Sequence, residues 1–80
     1  MKRNIRLTDA QKAMLRAIDD YADEGSGWAE VELHFLYARP QPRFLEMAIC
    51  KSIGDALIRK GLIVDADGPR LTDAGREALI

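Results

Sequence analysis

The first apolar stripe of the chain lies between residues 8 and 24. Its members recur at intervals that place them on one face of a helix, and they are Ala10, Met14, Ala17, Ile18 and Tyr21. Thr8 precedes the stripe as a helix-capping residue, and Gln11 stands three positions later, which is the spacing of a capping box. Gly25 and Gly27 follow it as stop signals. The stripe therefore predicts an amphipathic first helix that begins after Thr8.

The next segment, residues 28–37, carries two patterns at once. Val31, Leu33 and Phe35 alternate with polar residues, as in a half-buried strand. Trp28, Val31 and Phe35 are also spaced for one face of a helix. The length of the segment and its alanine, glutamate and leucine content favour a short helix with an extended start at Trp28. A strand is the alternative.

A turn and the longest helical pattern follow. Pro40 and Pro42 each remove a backbone donor and push the preceding residue out of helical geometry, so residues 39–42 are predicted to form a turn. Gly61 is expected to end the next helix as a C-terminal cap. Between them, residues 43–60 show an apolar helical face with Cys50 at its edge; the face consists of Leu45, Ile49, Ile53, Ala56 and Leu57.

The last twenty residues predict a β-hairpin and a short helix. Residues 62–64 and 70–72 have strand composition, and residues 65–69 have turn composition. Thr72 is a suitable cap for a final helix over residues 73–80, which can pack inward through Ala74, Ala78 and Leu79. The pentapeptide Arg-Leu-Thr-Asp-Ala occurs at residues 6–10 and again at 70–74. We interpret it as one helix-start solution used twice, since nothing around the two copies repeats.

Composition limits the class of protein. Eighty residues, 48% of them hydrophobic, make one domain, residues 1–80, with residues 1–6 as a flexible basic arm. One cysteine and one histidine exclude an intramolecular disulfide and a structural zinc site within a single chain. The N-terminus has no apolar run of the kind found in signal peptides and membrane spans, and the cysteine usage suits a reducing compartment. We therefore expect a soluble cytoplasmic protein that makes no membrane contact.

Charge is separated along the chain, although the net charge is only −1. Residues 1–16 hold five basic side chains and one acidic one, whereas residues 17–35 hold six acidic side chains and no basic one. Residues 36–60 again hold five basic side chains against two acidic ones. A nearly neutral total therefore conceals a basic region around the third helix.

The stretch between the third and fourth helices carries a family resemblance. It reads Ala56-Leu57-Ile58-Arg59-Lys60-Gly61-Leu62-Ile63, then Gly68, then Arg70-Leu71-Thr72-Asp73-Ala74-Gly75. This resembles the C-terminal half of the MarR/PadR-type winged-helix regulators, in which Leu…Lys-Gly-Leu-Ile ends a helix, a hairpin wing follows and Leu-Thr-x-x-Gly opens the next helix. The resemblance implies a mainly α fold of the winged helix-turn-helix type, with a three-helix core, a hairpin wing and a short C-terminal helix.

The resemblance also implies a function. Proteins of this kind are DNA-binding transcriptional regulators, here expected to be a homodimer, in which the third helix (residues 43–60) reads the major groove and the wing touches the DNA backbone. Arginine, lysine, glutamine and serine side chains suit base edges and phosphates. The residues assigned to DNA on these grounds are Arg39, Gln41, Arg43, Lys51, Ser52, Arg59 and Arg70.

A protein-interaction module that does not bind DNA is the alternative function. The wing carries Asp65 and Asp67, whose carboxylates would repel phosphates. The exposed side of the third helix also includes apolar residues that a protein partner would use. The alternative interface consists of Phe44, Met47 and Ile58, and the acidic block over residues 19–32 is a second docking surface.

No residue pattern indicates an enzyme, a cofactor or a metal site. His34 lies near Glu30, but no nucleophile, phosphate-binding loop or second histidine accompanies it, so we expect a surface histidine. Cys50 is expected to be a small buried hydrophobe, because no base stands ready to activate it. Trp28 and Tyr37 are expected to pack in the core.

Overall fold

The computed structural model describes residues 6–21 and 27–80. Within these ranges the chain is mainly helical and has a small two-stranded antiparallel hairpin, as the sequence predicts. The elements in chain order are α1 (Asp9–Tyr21), α2 (Gly27–Ala38), a 3₁₀ turn (Arg43–Leu45), α3 (Glu46–Arg59), β1 (Ile63–Asp65), β2 (Pro69–Leu71) and α4 (Asp73–Ala78). The predicted arm covers residues 1–6; its residues 1–5 and the predicted stop at Gly25 lie outside the described residues.

The start of α1 has the predicted capping box. The backbone N–H of Gln11 donates to Thr8 Oγ1 at 3.1 Å, and the N–H of Thr8 donates to Gln11 Oε1, also at 3.1 Å. The predicted stripe supplies three of the four residues that α1 buries, and Leu15 extends it. The buried residues are Met14, Leu15, Ala17 and Ile18.

Residues 28–37 are helical, so the helical interpretation is confirmed and the strand alternative is wrong. The helix begins at Gly27, which places Trp28 in its first turn; the predicted extended start at Trp28 is therefore also wrong. Val31 and Phe35 are the buried residues of α2, and they lie one helical turn apart on the side that packs against α1. Burial of this pair decides between the two patterns, since a strand would bring additional alternating side chains to the same face.

The third helix begins later than predicted. Arg43–Leu45 form a 3₁₀ turn, in which the N–H of Leu45 donates to the carbonyl of Pro42 at 2.8 Å, and the α-helix runs from Glu46 to Arg59. Leu45 is exposed and does not belong to the buried face. The reason is local, because Pro42 has an extended backbone and the first turn after it is wound more tightly than an α-helix.

The buried face of α3 is also rotated from its predicted position. Its centre is formed by Cys50, Gly54 and Leu57, so Cys50 lies in the middle of this face and not at its edge. Trp28 explains the rotation. Its indole ring lies over Gly54, where a Cβ atom would come within 3.0 Å of the ring, and α3 therefore turns this side towards α2. Ile49 and Ile53 remain partly buried beside the core.

The end of α3 is a Schellman cap that leads directly into the hairpin. Gly61 has a φ of +73°, its N–H donates to the Ile58 carbonyl at 2.9 Å, and the N–H of Leu62 donates to the Leu57 carbonyl at 3.0 Å. Leu57 and Leu62 are both fully buried. The predicted stop at Gly61 is confirmed, and the cap directs the chain back to the core at Leu62.

The hairpin and the last helix close the fold. β1 pairs with β2 so that Ile63 lies opposite Leu71, Val64 opposite Arg70 and Asp65 opposite Pro69. Each strand is displaced by one residue towards the turn from its predicted position. Thr72 caps α4 as predicted, but the helix ends at Ala78 and not at residue 80.

The core lies where α1 meets α2, α3 and β2. Its buried apolar residues are Met14, Leu15, Ala17, Ile18, Val31, Phe35, Cys50, Leu57, Leu62 and Ile63. Ala74, Ala78 and Leu79 of the last helix pack against this cluster, as expected. None of the helices in the described part of the chain is both long and apolar enough to cross a membrane.

Candidate functional site

One side of α3 and of the 3₁₀ turn before it is free of the core. We call this surface the α3 outer face, and it consists of Phe44, Met47, Ala48, Lys51, Ser52, Asp55, Ile58 and Arg59, all of them exposed. Phe44 and Met47 are each 84% exposed and Ile58 is 40% exposed. Two large apolar side chains therefore stand almost fully in water at one end of a helix.

Basic side chains flank this face at its N-terminal end. Arg39 and Arg43 are exposed, and neither forms an ion pair with another described residue. Gln41 is half-buried, and its side-chain amide donates to the Arg39 carbonyl at 3.4 Å. The two arginines are thus available to a ligand, whereas Gln41 is partly engaged in shaping the turn between α2 and α3.

Farther along α3, the basic groups are differently placed. Lys51 Nζ lies 3.5 Å from a carboxylate oxygen of Asp55, one helical turn away. Because this pair is exposed, it stabilises the fold by less than about 1 kcal/mol. Lys51 can therefore leave Asp55 and bind another anion at little cost in free energy. Ser52 is exposed beside it, and Arg59 is exposed at the last helical residue without an ion pair among the described residues.

The hairpin presents different chemistry to its two sides. Residues opposite each other in an antiparallel pair share a face, so Arg70 points to the same side as Val64, which is 48% exposed. Asp65 shares its face with the buried Pro69 and lies in the same cavity as Asp55 and Ile58 of α3. The strand register therefore brings Asp65 next to α3 and directs Arg70 away from it.

The hairpin turn rests on the start of α2. A Cβ atom at Gly68 would come within 3.0 Å of the Gly27 Cα, and both glycines have positive φ, +110° and +66°. Asp67 also has a left-handed backbone, with φ of 58°. Because the turn is in van der Waals contact with α2, the hairpin is held on the domain at both of its ends.

His34 takes part in a cluster that the sequence does not reveal. Its ring stacks on that of Tyr21 with centroids 3.5 Å apart, and its Nε2 lies 3.0 Å from Glu30 Oε1. This arrangement joins α1 to α2 beside a shallow cavity of ≈ 320 Å³. The described residues that line that cavity include no cysteine, serine or second histidine. The Tyr21–His34 stack holds two helices together.

Cys50 and Tyr37 were both predicted to be buried, and the prediction holds for Cys50 alone. Burial raises the pKa of the Cys50 thiol from 9.0 to about 11, and the carboxylates of Glu32 and Glu46 add to the increase. The predicted buried position of Cys50 is confirmed, and a thiol with a raised pKa is a poor nucleophile. Tyr37 is 88% exposed, so its predicted place in the core is wrong. It falls near the end of α2, on the side turned away from Val31 and Phe35.

The chain matches no protein-family model, no curated protein and no solved structure. In the described part of the chain, no group of three or more histidine, cysteine, aspartate or glutamate side chains is placed to hold a metal ion. The geometry and charge of the α3 outer face and its flanks are therefore the basis for a functional proposal.

Proposed function

We propose that this chain is a winged-helix DNA-binding regulator of the MarR/PadR type that inserts α3 into the major groove. Three helices followed by an antiparallel hairpin and a further helix are compatible with that fold. The helix that would enter the groove packs on the core with one side and leaves the other side to solvent. DNA reading by a helix requires such a free face.

The observation that carries the proposal is the arrangement of exposed basic groups along α3. Arg39 and Arg43 precede the helix and Arg59 ends it, with none of them ion-paired among the described residues. A helix of 14 residues is about 21 Å long, so cations at its two ends can reach phosphates on both sides of a groove that is about 12 Å wide. Lys51 and Ser52 then lie over the base edges between them.

Duplex binding across a salt series tests this function. A labelled random duplex, followed by fluorescence anisotropy, should bind with an affinity that falls steeply as salt rises, because Lys and Arg displace counterions from phosphates. The double variant Arg43→Ala, Lys51→Ala should remain folded by circular dichroism and should lose measurable binding. The salt dependence of any remaining affinity should decrease by about two ions.

The matched control removes the same charge from another surface. Lys12 and Arg16 are exposed on α1, and the double variant Lys12→Ala, Arg16→Ala should bind DNA as the parent does. Equal loss in both double variants would indicate attraction by net charge alone. Unchanged affinity of the folded Arg43→Ala, Lys51→Ala variant would contradict the assignment of α3, and absence of binding at low salt would contradict the function.

A second candidate function is a protein-interaction module, and the exposure of Phe44 and Met47 favours it. Phe44 in the 3₁₀ turn and Met47 in the first turn of α3 are each 84% exposed, which is unusual on a surface that meets only water and phosphate. Under this proposal Met47→Asp disrupts the complex, whether the partner is a second copy of the chain or another protein. Sedimentation velocity of parent and variant tests the first case. If the variant self-associates as the parent does, the homodimer through this surface is ruled out.

A further inference from the structure

A groove runs between α2 and α3 and shares four residues with the α3 outer face, namely Met47, Lys51, Asp55 and Ile58. Two adjoining cavities of ≈ 180 Å³ and ≈ 200 Å³ share Glu32 and Cys50, and together they form what we call the α2–α3 groove. Its floor consists of Cys50 and Gly54, both buried. Gly54 has no side chain, and the Trp28 ring occupies the space over it, so the indole borders the groove there.

Both walls of the groove carry apolar side chains. Trp28 and Leu36 of α2 form one wall, and Met47 and Ile58 of α3 form the other. Met47 is 84% exposed and Ile58 is 40% exposed, so each retains apolar surface that a ligand can cover. The combined volume suits one or two large side chains inserted from a partner, and not the body of a helix.

The rim of the groove is acidic. Four carboxylates border it, from Glu32, Glu46, Asp55 and Asp65, against one cation, Lys51, which already lies 3.5 Å from Asp55. Burial raises the pKa of the Cys50 thiol in the floor, and Glu32 and Glu46 raise it further, which agrees with these two carboxylates lying close to the floor. A phosphate backbone would be repelled at this rim. Because Lys51 and Asp55 belong both to the groove and to the α3 outer face, DNA and a protein bound in the groove would compete for α3.

We propose that the α2–α3 groove docks a basic segment of a partner protein, in which lysine or arginine residues flank one large apolar side chain. The apolar side chain would enter between Trp28 and Met47, and the cations would meet the carboxylates at the rim. Charge complementarity selects this occupant, since an apolar groove with a net rim charge of −3 attracts cations and rejects acidic segments. The inference deepens the second candidate function by naming the chemistry of the partner, and it does not depend on DNA binding.

The test uses two short fluorescein-labelled peptides, one of leucine and lysine and a matched one with glutamate in place of each lysine. The basic peptide should bind the full chain and the acidic one should not. The double variant Glu32→Gln, Glu46→Gln should bind the basic peptide with about tenfold lower affinity, because two rim charges are lost. Asp19→Asn, Glu77→Gln removes the same charge from exposed positions on α1 and α4 and should leave the affinity within about twofold of the parent.

Changes in the NMR chemical shifts of backbone amides on binding locate the peptide on the protein. Binding should displace the resonances of Gly54 and Ile58, and Met47→Ser should weaken it while circular dichroism shows an unchanged fold. The inference would be overturned if the basic peptide did not bind, if both peptides bound equally, or if the two charge variants lowered the affinity equally. Resonance changes confined to other parts of the protein would also overturn it. Self-association of the parent that Glu32→Gln, Glu46→Gln abolishes would also overturn it, because a second copy would then be the occupant. If Met47→Asp breaks a complex although the basic peptide does not bind, the interaction function stands and only the partner chemistry fails.

Discussion

Residues 6–10 and residues 70–74 have the same sequence, Arg-Leu-Thr-Asp-Ala, and each begins a helix with its threonine as the cap. The local geometry is also the same. Thr8 Oγ1 accepts the Gln11 N–H and Thr72 Oγ1 accepts the Gly75 N–H, both at 3.1 Å. The same five residues thus begin a helix in the same way at both places, because the hydroxyl reaches a backbone donor only three positions away.

The surroundings of the two caps differ. At α1 the cap is closed locally, since the Gln11 side chain returns a hydrogen bond to the Thr8 N–H. At α4 the cap is connected to distant residues: Thr72 Oγ1 donates to the Gly61 carbonyl at 2.6 Å, and the Thr72 N–H donates to the Leu62 carbonyl at 3.0 Å. The first copy begins a helix, whereas the second also fastens that helix to the end of α3. Tertiary contacts, and not the pentapeptide, account for this difference.

The largest effect on stability is expected from a substitution at Gly75, three positions after the cap residue Thr72. A Cβ atom at Gly75 would fall on the Leu62 carbonyl oxygen, well inside van der Waals contact. Gly75→Ala should therefore destabilise the protein by about 3 kcal/mol, although alanine favours helix by about 1 kcal/mol. Urea unfolding followed by circular dichroism measures this. A stability equal to or above that of the parent would show that α4 is free to move away from Leu62.

Removal of the hydroxyl at the second cap should have the next largest effect. Thr72→Val keeps the shape of the side chain and loses both the accepted and the donated hydrogen bond, at a cost of about 2 kcal/mol. Amide exchange should accelerate at the end of α3 as well as in α4. Thr72→Ser keeps the hydroxyl and serves as the control. Faster exchange confined to α4 would contradict the proposed link to Gly61.

Replacement of threonine by valine at the first cap, Thr8, should lower the stability by less than it does at Thr72. Thr8→Val loses one accepted hydrogen bond, so a loss of about 1 kcal/mol is expected, with amide exchange accelerated in the first turn of α1 alone. The comparison with Thr72→Val under identical urea conditions is the measurement. Equal losses at the two positions would show that the bond to Gly61 adds no stability.

The smallest effect is expected from Gln11→Ala. It removes the hydrogen bond returned to the Thr8 N–H, which is exposed, and alanine recovers part of the loss through its helix propensity. A decrease of about 0.5 kcal/mol is expected in thermal unfolding. A loss as large as that of Thr8→Val would mean that the two halves of the capping box act as one unit.

Features set by neighbours in sequence could be predicted. The capping box at Thr8, the stop at Gly61 and the hairpin depend on a few adjacent residues, and the exposure of Phe44 and Met47 follows from the helical period. The helix over residues 28–37 was predicted with a strand as alternative, because its apolar residues fit both periods.

Features set by distant contacts could not be predicted. The rotation of α3 depends on Trp28 lying over Gly54, which is 26 positions away along the chain. The placement of Asp65 beside α3, with Arg70 directed away, depends on the strand register. Glu32 and Glu46 border one groove only after α2 and α3 have packed, so their combined charge has no signal in the sequence.

The contact between Trp28 and Gly54 has a spectroscopic consequence. Trp28 is the chain's single tryptophan, so its intrinsic fluorescence comes from one known position between α2 and α3. A change in the separation of these two helices alters the solvent around the indole and shifts its emission. The protein therefore contains its own optical probe, which reports on this part of the fold without any label.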